Sequence, residues 1–355
     1  LRDDLLRLFD ILHGGVAQGA AESPVQFNLY VNDLIERLKM RGVGVLLAGD
    51  IRPGAFFADD VVLTVSDGPG AKQALRIVTE FCRRWRLLVS GDNRVKSAVM
   101  PIGSPSFRNS ISQESFLCTG VSIPSTSQYT YLGLRFSDKL SWGHHITQLL
   151  SDIQSKSRSL AWLCRRHKSM APRAALALWN AKVRPLADYN CETLSFFVSP
   201  SMLKKFDAVL PAFIASVMGI GVTVPTVFYQ LEWDIESFRA RWDDLAMRSL
   251  SRIVRKPEDS MVYQSLSLAL ADDVRHSSAW KPRFLNMLQS LHTDALPDIS
   301  TPRQLRTALD TSSCVHEREL MRVLMTARAG AARTYGPAFS PFARPQRSVE
   351  APLRF

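Results

Sequence analysis

The sequence lacks the cysteine pattern of a metal-binding knuckle. Five cysteines are spread over 355 residues, at positions 82, 118, 164, 191 and 314, and none belongs to a C-x-x-C pair or has a histidine at zinc-site spacing. An odd and widely separated set is typical of a reducing compartment, where cysteine packs as a small apolar residue. We therefore expect no metal knuckle.

Long apolar runs, a secretion signal and internal repeats are also missing from the sequence. No apolar run approaches the roughly 20 residues that are needed to span a bilayer. The chain opens on Leu1-Arg2-Asp3-Asp4, with neither a Met nor an apolar signal stretch. We expect an intracellular protein, in the nucleus or cytoplasm and without membrane contact, whose chain was cut from something longer.

Acidic residues are in the minority. The sequence has 44 Lys and Arg against 33 Asp and Glu, a net charge of +11 and a pI near 9.7. This excess favours polyanionic partners, of which nucleic acid is the commonest, although solubility alone explains it equally well. A hydrophobic share of 46% and a length of 355 residues are those of a globular protein with two or three packed units.

Periodicity predicts a small antiparallel part in the first 140 residues. Helices are expected over 3–13, 24–40 and 69–86, with Ser23-Pro24 opening the second. The apolar runs Val43–Leu47 and Ala55–Val65 predict one hairpin, whose turn lies near 48–54 at Gly and Pro residues. Strands are expected near 87–90 and 95–102, and a loop or irregular hairpin over 103–127.

The remainder of the sequence has helical periodicity. Helices are expected near 143–167, 171–189, 200–219 and 236–255, and residues 256–300 continue with a weaker pattern. The segment 330–355, rich in Pro, Arg and Ala, is expected to be without regular structure. The expected domains are 1–138, 139–255, 256–329 and this tail.

Two adjacent carboxylates, Asp59 and Asp60, interrupt the apolar run from Phe56 to Leu63. Acidic groups in a buried run are unfavourable unless they bind a cation or a donor. Nucleotidyl transfer uses such groups to hold two Mg²⁺ ions about 3.5–4 Å apart. Asp-Asp pairs also occur at 3–4, 243–244 and 272–273, and an isolated pair usually marks a turn or helix cap. The apolar strand context distinguishes the pair at 59–60.

The chain resembles the reverse transcriptases of LINE-type (non-LTR) retrotransposons in five blocks. Phe57-Ala58-Asp59-Asp60 is similar to their Tyr/Phe-Ala-Asp-Asp box. The other blocks, in the family's order, are Gly15–Gly19 with Ser23-Pro24 and Asn32-Asp33-Leu34; Phe81–Trp85 with Asn93–Ser97; Tyr129–Leu134; and Val183–Tyr189. They cover about 14–190, with fainter similarity to about 255.

The resemblance implies a role for each block. It makes Asp59 the principal Mg²⁺ ligand with Asp60 beside it, and it makes Lys96 the group that reaches the nucleotide phosphates and protonates pyrophosphate. Residues near the template and the incoming nucleotide would be Gln18, Gly19, Ser23 and Phe57, and the primer end would be held by Tyr131, Leu132 and Gly133. Taken singly, these positions also suit ordinary loop, surface or core residues.

The sequence departs from the family upstream of the first block. The family has a third carboxylate in a stretch like F-x-D-x-x-x-A-F-D, many tens of residues earlier, whereas 17 residues precede Gln18 here. The fingers that precede that stretch are also missing. We therefore expect a truncated or degenerate copy that cannot synthesise DNA alone, because losing a charged group at a reacting centre typically reduces the rate on the order of 10²–10³-fold.

A basic segment follows in the helical half: Lys156, Arg158, Arg165, Arg166 and Lys168, with His167 and Trp162 among them. Beside polymerase blocks it predicts contacts with the backbone of a template–primer duplex. Helix capping or a solvated face would also explain it. The tryptophans at 142, 162, 179, 233 and 242 are expected in the core.

The sequence therefore predicts an α+β fold: a partial reverse-transcriptase palm followed by a helical thumb and extension. The implied function is RNA-directed DNA synthesis with Mg²⁺, an RNA template, a DNA primer and deoxynucleotides. Two alternatives remain open: a nucleic-acid-binding remnant without chemistry, and a protein-interaction role for residues 143–300. No residue pattern indicates an endonuclease.

Overall fold

The structure, a computed structural model, describes residues 23–87, 89, 96–166, 170–219, 233, 235–271, 284–286 and 299–310. These residues form a mixed α+β structure, mostly helical with small antiparallel hairpins. The chain divides into two compact units, 1–145 and 146–355. The predicted helix 3–13 and the tail 330–355 lie outside the described residues. No helix in the described ranges is long and apolar enough to cross a membrane.

The first unit alternates helices with two-stranded hairpins. Its helices are α1 (Ser23–Met40), α2 (Gly68–Trp85) and α3 (Pro105–Ser112). Its strands pair as β1 (Val45–Leu47) with β2 (Asp50–Arg52), β3 (Gly54–Phe57) with β4 (Asp60–Leu63), β5 (Phe116–Cys118) with β6 (Val121–Ile123), and β7 (Gln128–Tyr131) with β8 (Leu134–Ser137). The helices predicted over 24–40 and 69–86 are confirmed.

Helix α2 is fixed at its start and along one face. The Asp67 carboxylate caps it by accepting a 2.7 Å hydrogen bond from the Gly70 amide. Its buried side chains Ala74, Ile77 and Phe81 join a core cluster with Leu34, Leu38 and Val43. Phe56 of β3 and Leu63 of β4 pack against that cluster. The β3–β4 hairpin is therefore anchored to α1 and α2 through its apolar side chains.

The prediction of one hairpin with its turn near 48–54 is wrong. Strand β1 pairs with β2 across a two-residue turn, Ala48-Gly49, in which φ is +52° and +88°. Positive φ at both turn residues is the type I′ pattern that matches strand twist, so the chain folds back at once. A second hairpin then begins at Gly54 (φ +153°), where a Cβ atom would lie 1.8 Å from the Val62 carbonyl oxygen.

The segment after α2 also differs from expectation. Leu87 and Val89 are not in strands, and Val99 forms only an isolated bridge with Ser125, so no strand occurs in the described parts of 87–90 and 95–102. Residues 103–127, expected to be irregular, contain α3 and the regular β5–β6 hairpin. Helix α3 forms because Ser104 accepts a hydrogen bond from the Phe107 amide, and Pro105 suits the first turn.

From Gly143 onward the described chain is helical, as predicted. The helices are α4 (Gly143–Arg166), α5 (Pro172–Lys182), α6 (Arg184–Asp188), α7 (Cys191–Leu194), α8 (Pro200–Asp207), α9 (Val209–Met218), α10 (Phe238–Ile253), α11 (Met261–Ala271) and α12 (Pro302–Asp310). The predicted helix 171–189 is interrupted at Val183, because Pro185 has no amide hydrogen for an interior helical bond. The predicted helix 200–219 is interrupted at Ala208.

Aromatic side chains form the core of the second unit. Trp179 and Trp242 are buried, as predicted, and Phe206 and Phe238 pack edge-on against them, with centroid distances of 5.1–6.4 Å. The Trp179 indole donates a 2.8 Å hydrogen bond to the Ser157 hydroxyl of α4. Within this unit, α4, α5, α8 and α10 therefore share one core.

Candidate functional site

The two candidate catalytic carboxylates lie at the tip of the β3–β4 hairpin. Phe57 pairs with Asp60, so Ala58 and Asp59 are the two turn residues, and Ala58 takes a φ of +50°. Both carboxylates are exposed. The expectation that the pair lies inside an apolar strand is wrong, because this register places Asp59 in the turn and Asp60 at the start of β4.

The hairpin that carries these acids has one buried and one open face. Side chains alternate along a strand, and accordingly Phe56 packs on the α1–α2 core while Phe57 is 63% exposed. Phe57 is the direct partner of Asp60 across the strand pair. The acids and an exposed aromatic ring thus occupy the same end of the hairpin.

Two tyrosines of strand β7 lie near Asp60. Burial raises the pKa of Tyr129 and of Tyr131, and the negative charge of Asp60 raises both pKa values further. The two tyrosines are separated by one residue, so they lie on the same face of the strand. The charge of Asp60 therefore acts on both tyrosines of the Tyr-x-Tyr-Leu-Gly segment.

The backbone of Lys96 contacts Tyr129. The Tyr129 hydroxyl donates a 2.5 Å hydrogen bond to the Lys96 carbonyl oxygen, and the Lys96 side chain is exposed. No role was predicted for Tyr129 from the sequence. The alternation in Gln128-Tyr129-Thr130-Tyr131 could have indicated one, because it places Tyr129 on the same face of the strand as Tyr131.

Leu132 and Gly133 form the turn between β7 and β8. Their φ values of +46° and +78° again follow the type I′ pattern, and Tyr131 pairs with Leu134 across it. Of the other predicted site residues, Ser23 is buried at the start of α1. Gln18 and Gly19 lie outside the described residues.

The chemistry of the two acids suits a hydrated Mg²⁺. This ion commonly keeps several waters and is held by one or two carboxylates together with substrate phosphates. Asp59 and Asp60 are adjacent in the sequence and exposed, and their carboxylate oxygens are of the kind that such an ion takes. The described ranges contain no group of three or more His, Cys, Asp or Glu side chains placed to hold a metal.

A cationic surface covers the C-terminal half of α4. Lys156, Arg158, Arg165 and Arg166 are all exposed, and none has an acidic partner within the described part of the chain. Lys168, predicted with them, lies outside that part. Trp162, expected in the core, is 55% exposed, and the Arg166 guanidinium lies 5.3 Å from its ring centroid.

The Val183–Tyr189 block serves a structural ion network in this structure. Arg241 of α10 binds the Asp188 carboxylate through two nitrogens, with a shortest distance of 2.6 Å, and it also binds Glu236 at 2.8 Å. Burial lowers the pKa of Arg184, and the nearby positive charge of Arg241 lowers it further. The block therefore fastens α6 to α10 in the second unit.

Comparison with known proteins indicates a distant relationship. No protein-family model matches the chain. The chain is similar to a probable RNA-directed DNA polymerase from transposon BS of Drosophila melanogaster, with 24% identity over 195 residues. The match covers 51% of this chain and 20% of that protein, so the chain spans about a fifth of the length of the relative it matches.

Proposed function

We propose that the chain carries part of the palm and the thumb of an RNA-directed DNA polymerase of a non-LTR retrotransposon. The observation that carries the proposal is the hydrogen bond from Tyr129 to the Lys96 backbone, made by a tyrosine whose pKa the charge of Asp60 raises. Asp60, Lys96 and Tyr129 belong to three separate blocks of the family resemblance. The distant similarity to a transposon polymerase supports the same function.

The chain's own residues supply binding and positioning at this site. Asp59 and Asp60 would hold Mg²⁺, which supplies charge neutralisation at the transferring phosphoryl group when it is bound. The exposed Phe57 beside them offers a ring to a nucleotide or primer, and the charge of Asp60 acts on Tyr131, which precedes the Leu132-Gly133 turn. The Lys96 side chain is exposed to incoming phosphates.

Primer extension tests the proposal. The chain is given an RNA template, a DNA primer, deoxynucleotides and Mg²⁺, and is compared with an Asp59→Asn, Asp60→Asn variant. A matched control removes two exposed carboxylates elsewhere, with Asp50→Asn and Asp259→Asn. Extension that only the first variant abolishes supports the polymerase assignment, and it also means that the chain's metal site is complete.

The exposed cations of α4 favour a second candidate, a nucleic-acid-binding remnant without chemistry. In that case the chain and both variants bind a template–primer at low salt, and none of them extends it. Binding to phosphates weakens steeply as salt is raised. Binding to a protein partner that is indifferent to salt would instead support an interaction role for the helical region.

A further inference from the structure

We propose that the outer face of α4 is a binding site for single-stranded nucleic acid, with Trp162 as a platform on which an unpaired base stacks. The site consists of Arg158, Trp162, Leu163 and Arg166. Arg158, Trp162 and Leu163 line one open hollow together with Ser159, and the Arg166 guanidinium lies 5.3 Å from the Trp162 ring centroid. The choice of nucleic acid as the partner of this site rests on the proposed function.

Helical spacing explains why this face is open. The buried residues of α4 in this region are Ile153, Ser157, Ala161 and Cys164, which follow the three-to-four spacing of one face. Arg158, Trp162 and Arg166 are four residues apart and form a separate stripe that remains exposed. Trp162 is therefore directed away from the core that the rest of the helix buries.

The charge of the stripe selects a polyanion. Residues 153–166 contain four cations and no acid, and no described acidic side chain forms an ion pair with Lys156, Arg158, Arg165 or Arg166. The cations elsewhere in the second unit include several that are paired, such as Arg241 and Arg248. The α4 cations are available to phosphates.

The exposed ring selects an unpaired base. A paired base in a duplex offers its ring faces to its neighbours in the stack, whereas an unpaired base can lie on an aromatic side chain. Trp162 keeps 55% of its surface exposed although the Arg166 guanidinium already lies over its ring, and Leu163 beside it is 43% exposed. Cations interleaved with an open aromatic ring are the arrangement used by proteins that bind single strands.

Binding is measured by fluorescence anisotropy with a labelled uridine oligonucleotide of about 12 nucleotides, and with an RNA duplex of equal length. Trp162→Leu keeps an apolar side chain but removes the ring, so single-strand affinity falls about tenfold and duplex affinity changes less than about twofold. Trp162→Phe retains a ring and restores most of the single-strand affinity. Because Trp162 is exposed, all of these variants are expected to melt at the wild-type temperature.

Charge is tested with matched double variants. Arg158→Gln with Arg166→Gln weakens binding and reduces its salt dependence, whereas Lys204→Gln with Lys205→Gln, which removes two exposed cations from α8, leaves it unchanged. Equal weakening of single strand and duplex by Trp162→Leu, no weakening of either, or displacement of the oligonucleotide by polyglutamate at equal charge would each overturn the proposal. None of these assays contains a polymerisation step, so their failure leaves the polymerase proposal to the extension test.

Discussion

The Tyr129 hydroxyl donates a 2.5 Å hydrogen bond to the Lys96 carbonyl oxygen and so joins two segments 33 residues apart. Tyr129 also lies close enough to Asp60 for that carboxylate to raise its pKa. One side chain thus holds the Lys96 segment and also responds to the charge of a candidate catalytic acid. Tyr129 is a positioning residue, because its hydroxyl is used in holding the Lys96 backbone.

Removing that hydroxyl should loosen the Lys96 segment. We expect Tyr129→Phe to lower the free energy of unfolding by about 1 kcal/mol, the usual contribution of one hydrogen bond. Amide hydrogen exchange over residues 96–100 should become faster. Tyr131→Phe is the control, because it removes a hydroxyl two residues away that makes no described hydrogen bond. Equal exchange rates in the two variants would show that the bond to Lys96 does not hold the segment.

The proximity of Asp60 to the tyrosines can be tested by titration. Burial and the Asp60 charge both raise the pKa values of Tyr129 and Tyr131 above the ordinary value of about 10. Asp60→Asn removes the second cause, so both pKa values should fall while remaining raised by burial. Ultraviolet absorbance of tyrosinate measures this shift, and Asp59→Asn should leave both tyrosines unchanged.

The same pKa shifts have a consequence for stability. A tyrosine whose pKa is raised in the folded state holds its proton more tightly there than in the unfolded chain. Its contribution to the free energy of unfolding is therefore present below pH 10 and is lost as the pH rises through the folded pKa. Phenylalanine cannot ionise, so we expect the loss of stability in Tyr129→Phe to be full at neutral pH and to shrink as the pH rises through the folded pKa of Tyr129. Urea unfolding at neutral and alkaline pH measures this change.

Helices were easier to predict than hairpins in this chain. The helix Ser23–Met40 and the helix Gly68–Trp85 follow from apolar spacing and from Pro near the helix start. The hairpins depend on Ala48 and Ala58, which adopt positive φ although alanine has no preference for it. Sequence patterns therefore indicated that strands were present but placed the turn wrongly.

The candidate site was predictable in its parts but not in its assembly. Resemblance pointed to Asp60, Lys96 and Tyr131, whereas the contact through Tyr129 arises only when β7 folds against the earlier segments. Trp162 was expected to lie in the core because its side chain is large and apolar. Its neighbours four residues away, Arg158 and Arg166, place it on the cationic stripe, and helical spacing could have given that answer.

The hairpin that carries the acids should depend on Gly54. An alanine there would place its Cβ 1.8 Å from the Val62 carbonyl oxygen, and its φ of +153° also suits glycine alone. We expect Gly54→Ala to lower the free energy of unfolding by more than about 3 kcal/mol. Gly42→Ala is the control, because Gly42 has φ +69° but no atom near the added Cβ, so a loss of about 1 kcal/mol is expected. Similar losses in the two variants would mean that the close approach in the β3–β4 hairpin is absent in solution.

The second unit should depend on Arg241. Its side chain is 28% exposed, and its partners Asp188 and Glu236 are 17% and 18% exposed, so all three charges are largely shielded from water. Arg241→Gln leaves two carboxylates without their main cation, and we expect a loss of about 3 kcal/mol in urea unfolding. Arg241→Lys should recover only part of that stability, because an ammonium cannot bind Asp188 through two nitrogens.

The control is Arg248→Gln. Arg248 is 68% exposed in an ion pair with Asp244 on the same helix, so its removal should change stability by less than about 0.5 kcal/mol. A small effect at Arg241 would mean that the Val183–Tyr189 block is held by apolar packing of Val183 and Ala187 and not by its ion network.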